Sequence, residues 1–159
     1  VESPFATSLL NRWVQEHEMA QGNLARMDRA LLEQDWVTVQ EVAQWLFDEL
    51  KLHNESEERW LFPRMEAKLG TGSGPIAAMR MEHRHIWGHE ESLMACLQHL
   101  PPSDPTQVTH HAREIVEVLS AHIFKENNVL YPMAERILSV QELRTLDLDF
   151  QAGNEQTAG

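Results

Sequence analysis

Leu50-Lys51-Leu52-His53-Asn54-Glu55-Ser56-Glu57-Glu58-Arg59-Trp60-Leu61-Phe62-Pro63 has a second version in the same chain, Leu119-Ser120-Ala121-His122-Ile123-Phe124-Lys125-Glu126-Asn127-Asn128-Val129-Leu130-Tyr131-Pro132. One offset of 69 residues relates His53 to His122, Glu57 to Glu126, Leu61 to Leu130 and Pro63 to Pro132. The shared pattern is His-x-x-x-Glu-x-x-x-Leu-aromatic-Pro. On a helix, residues i and i+4 share a face about 6 Å apart along the axis, so each copy offers an imidazole and a carboxylate to one point. The leucines three before each His and four after each Glu lie on the same side, which turns both His/Glu pairs inward. Two carboxylates and two imidazoles in one core layer are costly to bury bare. A di- or trivalent cation removes that cost, and carboxylates in helical bundles can bridge two metals. One such pair alone is usually a hydrogen-bonded pair or a boundary salt bridge; two matched copies point to metal.

Working outward, the breaks are marked by clustered Gly and Pro. Ser3-Pro4 reads as an N-cap with a first-turn proline. Leu9, Leu10, Trp13, Met19, Leu24, Met27 and Leu31 then recur at helical spacing to about Leu32. Asp35 caps a second helix to about Leu69, ended by Gly70-Thr71-Gly72-Ser73-Gly74. Pro75 starts a third, to about Leu100. Asp104 caps a fourth, with Pro105 as its first residue, to about Leu138. The prolines ten residues after each motif histidine are expected to kink their helices. Strand signals are nearly absent, so the fold class is all-α, an up-down-up-down antiparallel four-helix bundle over residues 1–150. Ser139 and Glu142 predict a short extra helix to about Asp149, and the small, polar residues 151–159 read as a flexible tail.

The other two helices are expected to complete the ligand set. Helix one has a single histidine, His17, in phase with Trp13, Leu24 and Met27. Helix three carries His83, His85 and His89. With 100° per residue, His83 and His89 flank Ile86 by about 60° on either side, while His85 lies about 100° away and nearer solvent. Periodicity therefore permits His83 or His89; His85/His89 also form an i, i+4 pair. Glu49, four residues before His53, is a candidate acceptor for it. Glu58 and Glu90 are further carboxylates read as solvated, and His99, His110 and His111 as exposed. The Trp and Met residues are read mostly as core, and Cys96 as a small buried residue.

Bulk properties narrow the function classes. The formal net charge of −12 disfavours nucleic acid and anionic membrane surfaces. A lone cysteine excludes an internal disulfide and a cysteine metal site, leaving nitrogen and oxygen as ligands. No apolar run approaches the roughly 20 residues of a membrane span. Val1-Glu2-Ser3-Pro4 shows no signal sequence, so a cytoplasmic location is expected.

Together, Glu16-His17, His53-x-x-x-Glu57-Glu58-x-x-Leu61-Phe62-Pro63, Gly74-Pro75-Ile76 leading to Glu82-His83, and His122-Ile123-x-x-Glu126-Asn127-Asn128-Val129-Leu130-Tyr131-Pro132 resemble the hemerythrin-like family of HHE cation-binding domains. The last two segments look most like its repair-of-iron-centres branch. The resemblance implies a non-haem di-iron site: two Fe ions, with His17, His53, His83 and His122 as terminal ligands and Glu57 and Glu126 as bridges. Manganese accepts the same donors. That branch usually adds an N-terminal domain with a cysteine motif and a further histidine near the start of helix two. These 159 residues include no such domain, and Asp35-Trp36-Val37-Thr38-Val39 has no His.

The expected function is iron handling or a response to nitrosative or oxidative stress. It would act through NO, O2 or peroxide, or by donating iron to an apo iron–sulfur protein. Reversible O2 binding or sensing is the alternative, favoured by the His85/His89 pair, which imitates the His-x-x-x-His of oxygen-carrying hemerythrins; a metal-free scaffold is the second. A ferritin-like oxidase needs two Glu-x-x-His motifs, and the candidate helices supply one, Glu82-x-x-His85.

Overall fold

The computed structural model describes Phe5 and residues 7–72 and 74–157. All its elements are helical. Ser3 and Pro4 lie outside the described residues. Helix α1 (Ser8–Glu33) is capped instead by Thr7, whose hydroxyl accepts from the Leu10 N–H at 3.1 Å. Helix α2 covers residues 36–69, opened by Asp35, which accepts the Thr38 N–H. Helix α3 (Gly74–Cys96) stops four residues short of the expected end. Helix α4 covers residues 105–137, with Asp104 as cap and Pro105 first. Ser139 and Glu142 cap helix α5 (Val140–Thr157) by a reciprocal pair of hydrogen bonds.

The direction of each helix can be read from its core residues. Two apolar clusters fill the bundle, one around Leu24, Leu50, Ile86 and Leu119, the other around Trp13, Leu61, Met79 and Leu130. Between them α1 passes through His17, α2 through His53 and Glu57, α3 through His83, and α4 through His122 and Glu126, all buried. α1 and α3 run from the second cluster to the first, α2 and α4 the other way. That alternation is the up-down-up-down bundle, with one polar layer dividing its core.

Both long motif helices depart from α geometry. The turn widens to a π-helix at Glu57–Leu61 and again at Glu126–Leu130, so each widened turn starts on the motif glutamate. The Phe62 N–H reaches Glu57 O, and the Tyr131 N–H reaches Glu126 O. Pro63 and Pro132 come one residue later. The expected kink is therefore an inserted residue: a proline without an N–H follows a turn whose ladder has already shifted register. The extra residue buries two consecutive side chains in each copy, Leu61 with Phe62 and Leu130 with Tyr131. A third widened turn, Leu46–Leu50, precedes the first motif.

α5 continues to Thr157, past the expected end at Asp149, so residues 151–157 are helical. Its side chains tie it to the bundle. The Asp147 carboxylate accepts from the N–H groups of Ser8 and Leu9 at 3.3 and 3.1 Å, serving the first turn of α1. Asp149 pairs with Arg64, and Phe150 packs its edge against Trp13 and Trp60. A few periodic assignments need correcting. Met19 is exposed, Trp13 is the one fully buried tryptophan while the other four are half-buried, and Cys96 is half-buried. No described helix is long and apolar enough to cross a membrane.

Gly153 lets α5 lie against α2: a Cβ there would sit 2.5 Å from Trp60 Cζ2. Gly153→Val should therefore cost about 1–3 kcal/mol in urea denaturation and change the tryptophan emission. Unchanged stability would show that Trp60 swings aside freely.

Candidate metal centre

Each helix delivers its histidine with the Nε2 atom inward. His17 Nε2 lies 3.0 Å from His53 Nε2, and His83 Nε2 lies 3.1 Å from His122 Nε2. Glu57 and Glu126 stand between the pairs. His53 and His83 approach Glu57 Oε1 at 3.3 and 3.5 Å, and His122 and His17 approach Glu126 Oε1 at 3.0 and 3.2 Å. His17, His53, Glu57 and Glu126 offer ligand atoms within 4.8 Å of one another, and so do Glu57, His83, His122 and Glu126. The two four-residue groups share both carboxylates.

The far side of each ring fixes its orientation. His17 Nδ1 meets Asn127 Oδ1 at 2.7 Å, His53 Nδ1 meets Glu16 Oε2 at 3.1 Å, and His83 Nδ1 meets Glu58 Oε2 at 3.2 Å. An acceptor at Nδ1 puts the proton there and leaves the Nε2 lone pair facing inward, the tautomer a metal needs. His122 Nδ1 faces Glu82 Oε1 at 3.6 Å, and Lys125 holds that carboxylate. Rings are braced as well: Tyr131 stacks on His17 and Phe62 on His83, with centroids 5.6 and 5.7 Å apart.

This donor set fits a cation. Both oxygens of Glu126 and Oε1 of Glu57 are buried without a hydrogen-bond partner. Unsatisfied buried carboxylate oxygens are among the costliest groups a core can hold. Two facing Nε2 atoms can share one proton at most, so their lone pairs also need a positive centre. Protein charges partly answer the need. Burial opposes charge on His53, yet Glu57 and Glu16 outweigh it and push its pKa up to about 10. His122 is likewise pushed up to about 10, burial being outweighed by Glu126 and Glu82. Glu57 is held well below the usual carboxylate range, its burial overcome by His53 and its other neighbours. Burial and the two glutamates raise Tyr131, so it keeps the proton that it donates to Glu57 Oε2 at 2.7 Å.

The sequence profile of the Hemerythrin HHE cation binding domain matches residues 8–134, a span that holds all six residues. The chain belongs to the hemerythrin HHE cation-binding family. Among curated proteins it is similar to the iron-sulfur cluster repair protein YtfE of Dickeya chrysanthemi, with 33% identity over 97 residues, covering 57% of this chain and 44% of that protein. The YtfE proteins of Musicola paradisiaca and Salmonella schwarzengrund match at 34% over 97 residues and 33% over 95, covering 57% and 56% of this chain and 44% and 43% of theirs. The HHE chain thus spans less than half the length of these curated relatives.

All six residues singled out in the sequence come together, and the ambiguity on α3 resolves by position: His83 is in the cluster, while His85 and His89 point elsewhere. Glu16, not Glu49, faces His53 Nδ1. Glu58 reaches His83, and Glu90 is buried, so neither is merely solvated. The stretch Asp35-Trp36-Val37-Thr38-Val39, near the start of α2, ends 14 residues, or about 21 Å of helix, before His53. A side chain there is far from this cluster. Sequence reasoning missed the roles of Asn127, Tyr131 and Phe62. The signal was available: the 69-residue offset pairs Glu58 with Asn127 and Phe62 with Tyr131, and each pair does the same job in its half.

A cleft of about 250 Å³ reaches His83 from the surface, lined among others by Asn54, Glu58, Trp87 and Glu90. Burial raises the Glu90 carboxyl to about 8, against the pull of His83 and Lys51. A raised carboxyl contributes stability below its unfolded value of 4.5 that is lost as pH rises through 8. Glu90→Gln should therefore gain about 2–4 kcal/mol relative to the parent between pH 5 and pH 9 in urea denaturation of metal-free protein. A pH-independent difference would mean that Glu90 titrates as an exposed carboxyl.

Proposed function

We propose that the chain holds two non-haem iron ions, one against His17 and His53 and the other against His83 and His122, with Glu57 and Glu126 shared between them. The observation that carries this reading is the pair of buried carboxylates with three oxygens that lack a hydrogen-bond partner, each carboxylate approached by histidines of two helices. Six nitrogen and oxygen donors without sulfur suit iron, and manganese by the same chemistry. The ions would supply open coordination positions for a small ligand and a one-electron redox couple. The chain's own residues do the rest. Glu16, Asn127 and Glu58 aim imidazoles, Phe62 and Tyr131 limit water, and the Tyr131 hydroxyl holds a proton against Glu57.

The reading extends to reaction with NO, O2 or peroxide, or donation of iron to an apo iron–sulfur protein, in response to nitrosative or oxidative stress. Similarity to proteins named for iron-sulfur cluster repair supports it. The cleft beside His83 is an approach for a diatomic molecule. Reversible O2 carriage has less support, because the His85/His89 pair stands apart from the cluster.

Purified protein should contain about two irons per chain. His53→Ala and His122→Ala should each lose buried iron while circular dichroism stays helical, and His110→Ala should keep it. Equal retention in all three sinks the assignment. Rapid irreversible oxidation in air, or iron transfer to an apo iron–sulfur acceptor, would favour repair; a reversible spectral change on cycling O2 would favour carriage. Because neighbouring carboxylates raise His53 and His122 to about 10, loading at pH 7 should release protons from these rings. Calorimetry in buffers of different ionisation enthalpy measures that release, and none would mean that these rings are already neutral before the ion binds.

A further inference from the structure

Four of the nine histidines gather outside the buried layer. His85 and His89 lie one turn apart on α3, and His110 and His111 lie on α4 opposite them. His89 Nδ1 is 2.9 Å from His111 Nδ1. Ring centroids of His89 lie 4.8 Å from His85, 5.8 Å from His110 and 5.1 Å from His111. Glu114, one turn past His110, approaches His85 at 3.7 Å. Ligand atoms of His89, His110 and His111 fall within 4.8 Å of one another, as do those of His85, His89 and Glu114. His89 is common to both groups.

We propose that His89 and His111, with His85, His110 and Glu114 beside them, form a second, superficial site for a borderline divalent cation such as zinc, clipping α3 to α4. The site is separate from the buried cluster. His89 lies six residues beyond His83, about 9 Å of helix, and His111 lies eleven before His122, about 16 Å. Two imidazoles sharing one proton would account for the 2.9 Å contact alone. They would not account for two further imidazoles beside His89 and a carboxylate within reach of the group. Metal–nitrogen bonds of about 2.0–2.1 Å bring two ligand nitrogens to about 2.9–3.4 Å of each other, the range in which His89 and His111 already stand. A nitrogen-rich set with one carboxylate selects zinc, nickel or copper over calcium or magnesium. The neighbourhood also keeps the ligands available. Burial and the surrounding imidazoles hold His89 below its ordinary pKa, and burial with His110 does the same for His111, so both rings present lone pairs at neutral pH.

The test titrates tag-free, iron-loaded protein with Zn²⁺ against a chromophoric chelator. Wild type should bind one more zinc per chain than the His89→Asn/His111→Asn double variant, with a dissociation constant in the micromolar range, and saturation should raise the melting temperature by several degrees. His99→Asn alters an exposed histidine outside the cluster and should keep full zinc binding. Because the readout is the difference between parent and variant, it holds whatever occupies the buried layer. Should the double variant lose helicity, His85→Asn/His110→Asn, confined to more exposed rings, should still weaken zinc at least tenfold. Equal zinc binding by parent and double variant, or none by the parent at 100-fold excess, would overturn the proposal and leave a hydrogen-bonded histidine pair.

Discussion

Two glutamates, Glu57 and Glu126, stand fully buried in the middle of the bundle with their carboxylates facing the same small volume. Nothing else in the core imposes so strict a demand. Their charge must be met by positive groups from every side, and the four helices are arranged to meet it. α2 and α4 supply a histidine one turn before each glutamate, and α1 and α3 add one more from the flanks. The apolar clusters above and below exclude water from the layer, which strengthens each electrostatic contact and makes each missing one expensive. In this sense the hydrophobic core and the polar layer are one device. The leucines hold the helices at the spacing that the glutamates require.

The two halves of the layer are near copies. Glu16-His17 on α1 corresponds to Glu82-His83 on α3, and His53, Glu57, Glu58 and Phe62 on α2 to His122, Glu126, Asn127 and Tyr131 on α4. Aromatic stacking on the flanking histidine repeats in both halves. The copies differ where chemistry would notice. Tyr131 adds a hydroxyl to Glu57 where Phe62 has none, and Asn127 is neutral where Glu58 is charged. Behind the His83 and His122 rings stand two carboxylates, Glu58 and Glu82, paired with Arg80 and Lys125, whereas Asn127 and Glu16 stand behind His17 and His53.

Most of the fold was legible because helical period, caps and breaks act locally. Asp35, Asp104 and the Ser139/Glu142 pair all cap where the sequence says they should. The inward face of α2 and α4 was legible because duplication filters out chance. What was not legible depends on register between distant segments. Asp147 serving the first turn of α1 spans 138 or more residues, and no local signal announces it. The widened turns at Glu57 and Glu126 shift the phase of the residues that follow, which a fixed 100° step does not track. Glu90 was read as solvated because a carboxylate near an aromatic has no sequence mark of burial. Helical spacing pairs His85 with His89, but their meeting with His110 and His111 needs the packing of α3 on α4.

The ligand-type residues are interleaved between helices. The histidines meeting Glu57 come from α2 and α3, and those meeting Glu126 come from α1 and α4. Neither helical hairpin, α1 with α2 or α3 with α4, contains a complete set. Fraying of one helix end leaves the middle of the bundle closed, and the cleft beside His83 is an approach to it that needs no helix to move. Parting the hairpins would open the whole polar layer at once, a step toward global unfolding. An occupant would therefore exchange from the side of the cleft, at a rate set by the residues that line it.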